Sequence, residues 1–395
     1  NRKVRRPELT LAVPDHNVEC QETLKRGIPL LSRAEILAEI CKEKSALVVS
    51  GTHGKTTTSS MLALVLRSAE MKPSFIIGGD VNEVGTGAVW DDGSIFVVEG
   101  DESDGSFLML PRDYAVVTNV EADHLEHHGG YEALEEAFEK FVHETRGPVI
   151  VGVDDEGGKK LASSQNAISL GIDSSAEWKI TELEESWTGV SFNLRDPDNH
   201  NLVVKLPIPG LHNAKNAACA AVAGIVAGAD PNAVAQALER FGGVARRFEH
   251  RGQVAGVTFV DDYAHLPTEV SATISAANTG SWGRLISVFQ PHRYSRTEAL
   301  WRTFQDSFQG TDVLFVTDIY SSGEKARPGI SGALIADAVL SSNPAFEVRY
   351  VPRRSDLLEA LVGELREGDC CLTMGAGDLT SLPDDLQNIM RDLNE

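Results

Sequence analysis

The chain has 395 residues, 42% of them apolar, enough for two or three domains with ordinary cores. Its 58 acidic and 36 basic residues leave a net charge of −22, which disfavours nonspecific binding to nucleic acid or to an anionic membrane. No apolar run suits membrane insertion, no signal peptide is visible, and the five cysteines have neither C-x-x-C nor zinc-ligand spacing, so a cytoplasmic, reducing compartment is expected.

In chain order, residues 1–42 hold an extended piece from Leu9 to Val13 and helical patterns from Glu19 to Arg26 and from Ala34 to Cys41. Residues 27–31 between the helices are strand-like. This is too little for a core of its own, and it reads as the tail of a larger α/β domain. Residues 45–58, SALVVSGTHGKTTT, follow. Ala46 to Val49 predict a buried parallel strand, Ser50 to Gly54 a sharp turn, and Met61, Leu62, Leu64 and Val65 a helix. A strand, a glycine turn with lysine and threonine, and a helix N-terminus make a phosphate cradle. Lys55 is placed to reach terminal phosphates and the Thr56 hydroxyl to sit on Mg²⁺, so an ATP site is expected. The loop is the short G-x-x-G-K-T-T form, since the first glycine of the longer motif would fall at Val49.

Further strands are predicted at 74–77, 95–98, 114–118 and 149–153, with a helix at 131–143. Alternation of this kind argues for a doubly wound parallel sheet. Residues 176–208 shift to short alternating segments, an antiparallel β insert on the α/β core. Helices at 213–227 and 231–241 close this domain, set at 43–246. A second α/β series, a Rossmann-like C-terminal domain, is set at 247–395. The expected fold is thus α/β: a P-loop ATPase-type parallel sheet with a β insert, then a Rossmann-like unit.

Chemistry-bearing residues cluster where the strands end, the edge on which parallel sheets bind ligands. Glu99 to Asp104 put four carboxylates after one strand, and Glu121, Asp123 and His124 follow another; both suit a nucleotide-bound metal. Asn213 and Asn216 share a helix face and suit an adenine edge, although an N-cap asparagine beside a surface asparagine would read the same. Arg246-Arg247 lies at the domain junction, where an arginine can meet a γ-phosphate or simply be a solvated linker. The segments 261–265 and 290–296 each follow a strand of the last domain. Gly375 to Asp378 is read as a tight strand-to-helix turn.

Taken together and in order, SGTHGKTTT, VVEGDESDGSF, VTNVEADHLEHH, GLHNAKNAACAA, RRFE, VDDYAHLPTEV, FQPHRYSRT, DIYSSGE and MGAGD resemble the Mur ligase family, and within it the members that add L-alanine. The resemblance runs from about residue 12 onward. It implies ATP- and Mg²⁺-dependent joining of L-alanine to the carboxylate of UDP-N-acetylmuramate through an acyl phosphate, in peptidoglycan precursor synthesis. It implies catalytic roles for Lys55, Glu99, His124 and Arg247. It implies nucleotide contacts from Gly51, Thr52, His53, Gly54, Lys55, Thr56, Thr57, His212, Asn213, Asn216, Arg247 and Asp262. Metal ligands would be Thr56, Glu99 and His124. Tyr263, His265, His292, Arg293 and Arg296 would bind the muramoyl carboxylate and the alanine.

The chain departs from the family in two places. Leu266 stands where the family usually has a second histidine, and the UDP-binding N-terminal domain is represented only by residues 1–42. The alternatives are therefore a nucleotide-binding fragment without full ligase activity, or another amide ligase of the Mur or folylpolyglutamate type. The oligomeric state is not legible.

Overall fold

The computed structural model describes residues 17–81, 83–103, 105–122, 130–165 and 167–394. The expected extended piece at Leu9 to Val13 lies outside them, as do Asp123 and His124.

The first strand, β1 (Ser45–Ser50), explains the architecture in miniature. Leu47 and Val49 face the helix Lys55–Ser68 and pack with Met61, Leu62 and Val65. Ala46 and Val48 face the other way, toward Phe138 and Phe141 of the helix Tyr131–His143. Strand side chains alternate sides, so a run that is apolar at every position belongs to a strand covered on both faces.

Around β1 the chain adds β2 (Ser74–Val81), β3 (Thr86–Val89), β4 (Ile95–Glu99), β5 (Tyr114–Val117), β6 (Val149–Gly152), β7 (Ile168–Gly171), β8 (Trp178–Ser186), β9 (Gly189–Arg195) and β10 (Asn201–Leu206). They form one sheet in the order β10-β9-β8-β7-β6-β5-β1-β4-β2-β3. The pairs from β2 through β8 are parallel, while β3, β9 and β10 run antiparallel to their neighbours. The antiparallel segment expected at 176–208 is present. It is continuous with the parallel sheet, because β8 pairs with β7 at Leu170 and Trp178.

The alanine-rich helix Leu211–Val226 lies against Lys55–Ser68. Its small residues allow that approach: a Cβ at Gly224 would come 2.6 Å from Val65 Cγ1.

The second sheet has the order β11-β12-β16-β13-β14-β15, from β11 (Glu249–Val254), β12 (Val257–Asp262), β13 (Leu285–Phe289), β14 (Val313–Val316), β15 (Val348–Tyr350) and β16 (Cys370–Met374). All its pairs are parallel except β11 with β12.

The structure differs from expectation in a few elements. Residues 27–31 form no strand; Gly27 turns at φ +67° and leaves Ile28 and Leu31 exposed. Strands β3, β7 and β11 were not foreseen. β7 is only four residues long, and β11 carries Glu249, His250, Arg251 and Gly252, a composition that takes strand form through pairing with its neighbour. All five cysteines are free and buried. Among the described residues no helix is long and apolar enough to cross a membrane.

Candidate functional site

β1 sits where the strand order reverses, with β4 on one side and β5 on the other. A crevice opens beyond the carboxyl ends at such a point. The loop 51–54 fills it, and the neighbouring strand ends grip it. His53 donates its N–H to Asn119 Oδ1 (2.9 Å), and its carbonyl accepts from Asn119 Nδ2 (3.0 Å) and Thr118 Oγ1 (2.6 Å). Thr52 donates its N–H to the Asn119 carbonyl (3.1 Å), and its hydroxyl oxygen accepts from the Glu121 N–H (2.9 Å).

Gly51 and Gly54 have φ of +132° and +81°. A Cβ at Gly51 would collide with Thr118 Oγ1 and lie 2.9 Å from Thr118 N; one at Gly54 would collide with the Asn216 amide. Glycine is thus required twice, for the turn and for close approach. Gly51→Ala is expected to weaken ADP binding roughly 30-fold, from about 2 kcal/mol of strain transferred to the loop. Calorimetric titration with ADP checks this; an affinity within twofold of wild type contradicts it.

Lys55 Nζ donates to the carbonyls of Gly51 (2.8 Å) and Thr52 (3.1 Å) and to Glu102 Oε1 (2.8 Å), with Oε2 at 2.7 Å. Glu102 is 1% exposed. Burial pushes its carboxyl up to about 7 against the opposing pull of Lys55. Burial alone would lower the Lys55 ammonium, but Glu102, Asp101 and Glu99 outweigh it and raise it. Glu102 was not singled out from the four carboxylates of its loop. The Thr56 hydroxyl donates to Glu99 Oε1 (3.1 Å), and Gly78 N–H to Glu99 Oε2 (2.9 Å). A hydroxyl beside a carboxylate is the hard-oxygen donor set that suits Mg²⁺. His124 lies outside the described residues. A different group, Asp196, Asp198 and His200, clusters at metal-ligand spacing around the exposed β9–β10 turn, away from the loop.

Between the two sheets lies a cavity of about 350 Å³. Of the expected nucleotide residues it is lined by His53, Gly54, Thr57, His212, Asn213, Asn216, Arg247 and Asp262. Gly51, Thr52, Lys55, Thr56 and Glu99 do not line it. Asn213 is buried and donates to the Pro209 carbonyl (2.7 Å). His212 is held neutral, its ring lowered to about 4 by burial and then by Arg247. Asp262 accepts from Phe248 N–H (2.7 Å) and Ala264 N–H (2.7 Å), and burial raises its carboxyl to about 6. Each carboxylate oxygen keeps a second lone pair for a ligand hydroxyl. The two arginines of the junction divide their roles. Arg246 donates to the carbonyls of Gly375 (2.6 Å) and Gly377 (3.1 Å), locking the last turn, while Arg247 faces the cavity.

A second cluster stands at the ends of β12 and β13. Tyr263, His265, His292 and Tyr320 form a chain of ring contacts with centroids 5.3, 5.6 and 5.9 Å apart. Arg246 and Arg247 lie over Tyr263. Arg296 approaches His292 Nδ1 at 2.9 Å. Arg293 Nε is buried with no hydrogen-bond partner among the described residues. Tyr320 reaches His292 because backbone bonds with Pro291 and Arg293 zip the two loops together. The quoted DIYSSGE segment contains it, but only tertiary pairing shows what it touches.

Burial, then neighbouring arginine and histidine charge, lowers His292 to about 3; burial lowers His265 to about 4 despite Glu269. Both rings are therefore expected to stay neutral from pH 8 to pH 5. NMR of the imidazole nitrogens checks this; a midpoint near 6.5 for either ring contradicts it.

The comparisons with known proteins agree with this geometry. A model described as the Mur ligase middle domain matches residues 49–224, and one described as the Mur ligase, glutamate ligase domain matches residues 246–377. The UDP-N-acetylmuramate–L-alanine ligase of Desulforamulus reducens is 41% identical over 377 residues, covering 94% of this chain and 81% of that protein. The protein of the same name from Myxococcus xanthus is 38% identical, covering 97% of this chain and 82% of its own length. Among solved structures, the UDP-N-acetylmuramate-alanine ligase of Thermotoga maritima superposes with a TM-score of 0.82 at 27% identity, covering 97% of this chain and 84% of that one. With both family models matched in order over the two sheets and close to 40% identity along nearly its whole length, the chain belongs to the Mur ligase family.

Proposed function

We propose that the chain is an ATP-dependent ligase joining L-alanine to the carboxylate of UDP-N-acetylmuramate, a step of peptidoglycan precursor synthesis in the cytoplasm. The observation that carries this reading is the pairing of a phosphate loop with a facing cluster of neutral histidines and arginines, in a chain 41% identical to a protein named for that reaction. On this reading residues 43–246 hold the nucleotide and 247–395 the acceptor side, with Leu37, Ala38 and Cys41 of the preceding segment packed against the first of them.

A carboxylate is a poor electrophile. Its oxygen attacks the γ-phosphorus of ATP and ADP leaves; the alanine amine then attacks the acyl carbon and phosphate departs. Little covalent work falls to the protein, so positioning and charge stabilisation dominate. Gly51 to Thr57 cradle the phosphates, with Lys55 at the transferring group. Asn213 and Asn216, with His212, take the adenine, and Asp262 the ribose. Arg247 faces the γ-phosphate from the opposite unit. Thr56 and Glu99 would hold Mg²⁺, with His124 serving a second ion; the metal neutralises phosphate charge when bound. Arg293 and Arg296 suit carboxylates. Tyr263, His265 and His292 present uncharged rings, and a neutral imidazole nitrogen can accept a hydrogen bond from the alanine amine.

The test is phosphate release from ATP that requires both UDP-N-acetylmuramate and L-alanine, run beside glycine, L-serine, D-glutamate and other acceptors. Release supported by a different acid–amine pair moves the chain to another amide ligase. ADP binding without release under any pair leaves a nucleotide-binding protein.

A further inference from the structure

His53 is the tip of the nucleotide loop, yet its side chain points out of that loop into the second unit. Its backbone N–H and carbonyl are both tied to Asn119, so the main chain from which the ring projects is fixed to the end of β5. Nδ1 lies 3.5 Å from Glu269 Oε1, and Nε2 lies 3.2 Å from Thr268 Oγ1 and 3.6 Å from Glu121 Oε2. Thr268 and Glu269 open the helix Pro267–Ala277 of the C-terminal unit. Glu269 Oε2 meanwhile accepts from the backbone N–H groups of His265 (3.0 Å) and Leu266 (3.2 Å) and stands 3.3 Å from His265 Nδ1. One carboxylate therefore touches the nucleotide loop with one oxygen and the acceptor-side histidine turn with the other. His53 and Glu269 also both line the cavity between the units, with side chains only 17% exposed.

We propose that His53 and Glu269 form a clasp coupling the nucleotide loop to the turn that carries His265, with Glu269 as a positioning residue. The proposal rests on the ligase reading for its consequence, and on geometry alone for the clasp itself. Movement of the loop on phosphate binding shifts the His53 ring against Glu269. Glu269 cannot follow without moving the backbone of residues 265 and 266. Nucleotide occupancy thereby sets the place of His265, and closure of the units over the cavity is favoured by the same contact. At the far end of the interface, Trp187 of the β8–β9 turn meets Trp282 edge to face at 5.1 Å, which supplies an intrinsic reporter of closure.

The experiment is a double-mutant cycle on the full chain with His53→Ala, Glu269→Gln and both together. Glutamine keeps an oxygen for the two backbone N–H groups, so it preserves the helix cap while removing the charge that faces His53. The first readout is affinity for a nonhydrolysable ATP analogue, with tryptophan emission recorded alongside. Each single variant is expected to bind 5- to 20-fold more weakly, and the double no more than twofold weaker than the worse single. Multiplying effects, or Glu269→Gln binding as wild type does, overturns the clasp. Where turnover is measurable, Glu269→Gln is expected to raise KM for L-alanine by a larger factor than it lowers kcat. An equal loss in both, tracking a lowered melting temperature, indicates a helix cap only and also overturns it. Should Glu269→Gln fold poorly, Thr268→Val takes its place in the cycle with the same criteria. A wild-type chain that binds the analogue but releases no alanine-dependent phosphate refutes the ligase reading and leaves the binding cycle to judge the clasp.

Discussion

Replacing Lys55 with alanine is expected to lower alanine-dependent phosphate release roughly 1,000-fold, about 4 kcal/mol of lost charge stabilisation at the transferring phosphoryl group. The same change acts on stability, because Lys55 Nζ is the cation against which the buried Glu102 rests at 2.7–2.8 Å. Removing one member of a buried pair costs about 3 kcal/mol or more when the other stays charged. Glu102 has an escape, since burial already holds its carboxyl at about 7 and loss of Lys55 raises it further. A carboxyl raised above its unfolded value favours folding most at low pH, and that contribution is lost as pH rises through the folded value. The melting temperature of Lys55→Ala should therefore fall increasingly below wild type between pH 6 and pH 8. Adding Glu102→Gln should recover most of that deficit and none of the turnover. Calorimetry and the release assay on the single and double variants separate the two effects. An equal melting deficit in both variants would remove Glu102 from the explanation.

The loop itself was legible because its chemistry is local. Strand, glycine turn, lysine, threonine and helix lie within a few residues, and β1 confirms its double-sided burial through Leu47 and Val49 on one face and Ala46 and Val48 on the other. What grips the loop was not legible. Thr118, Asn119 and Glu121 reach it because β5 pairs with β1 across more than sixty positions of sequence. Glu102 was hidden among neighbouring carboxylates, and only the conformation of the turn after β4 decides which of them meets Lys55. The arginine pair shows the same limit: residue type could not tell Arg246, spent on the carbonyls of Gly375 and Gly377, from Arg247 facing the cavity. The separation of Lys55, Thr56 and Glu99 from the cavity between the two sheets is likewise a property of the assembled crevice.

Glu99→Gln is expected to change metal dependence more than fold. β4 runs beside β1 with Glu99 opposite Val49, so the carboxylate is delivered to the mouth of the loop by strand register. There it accepts from the Thr56 hydroxyl and from Gly78 N–H. Glutamine has the same shape and keeps one acceptor oxygen, so about 1 kcal/mol of stability is at risk. Its amide lacks the anionic oxygen that a hard divalent cation requires. Turnover should fall roughly 100-fold at moderate Mg²⁺, and the Mg²⁺ concentration giving half-maximal rate should rise about tenfold. Nucleotide affinity in EDTA should hold or improve, because a negative charge has left the edge of a polyphosphate site. Opposite movements in the two measurements distinguish a lost metal ligand from a damaged loop, which would weaken binding with and without the ion. An unchanged Mg²⁺ requirement would assign the ion to carboxylates other than Glu99, and Asp101 and Glu102 in the turn beyond would be the next to replace.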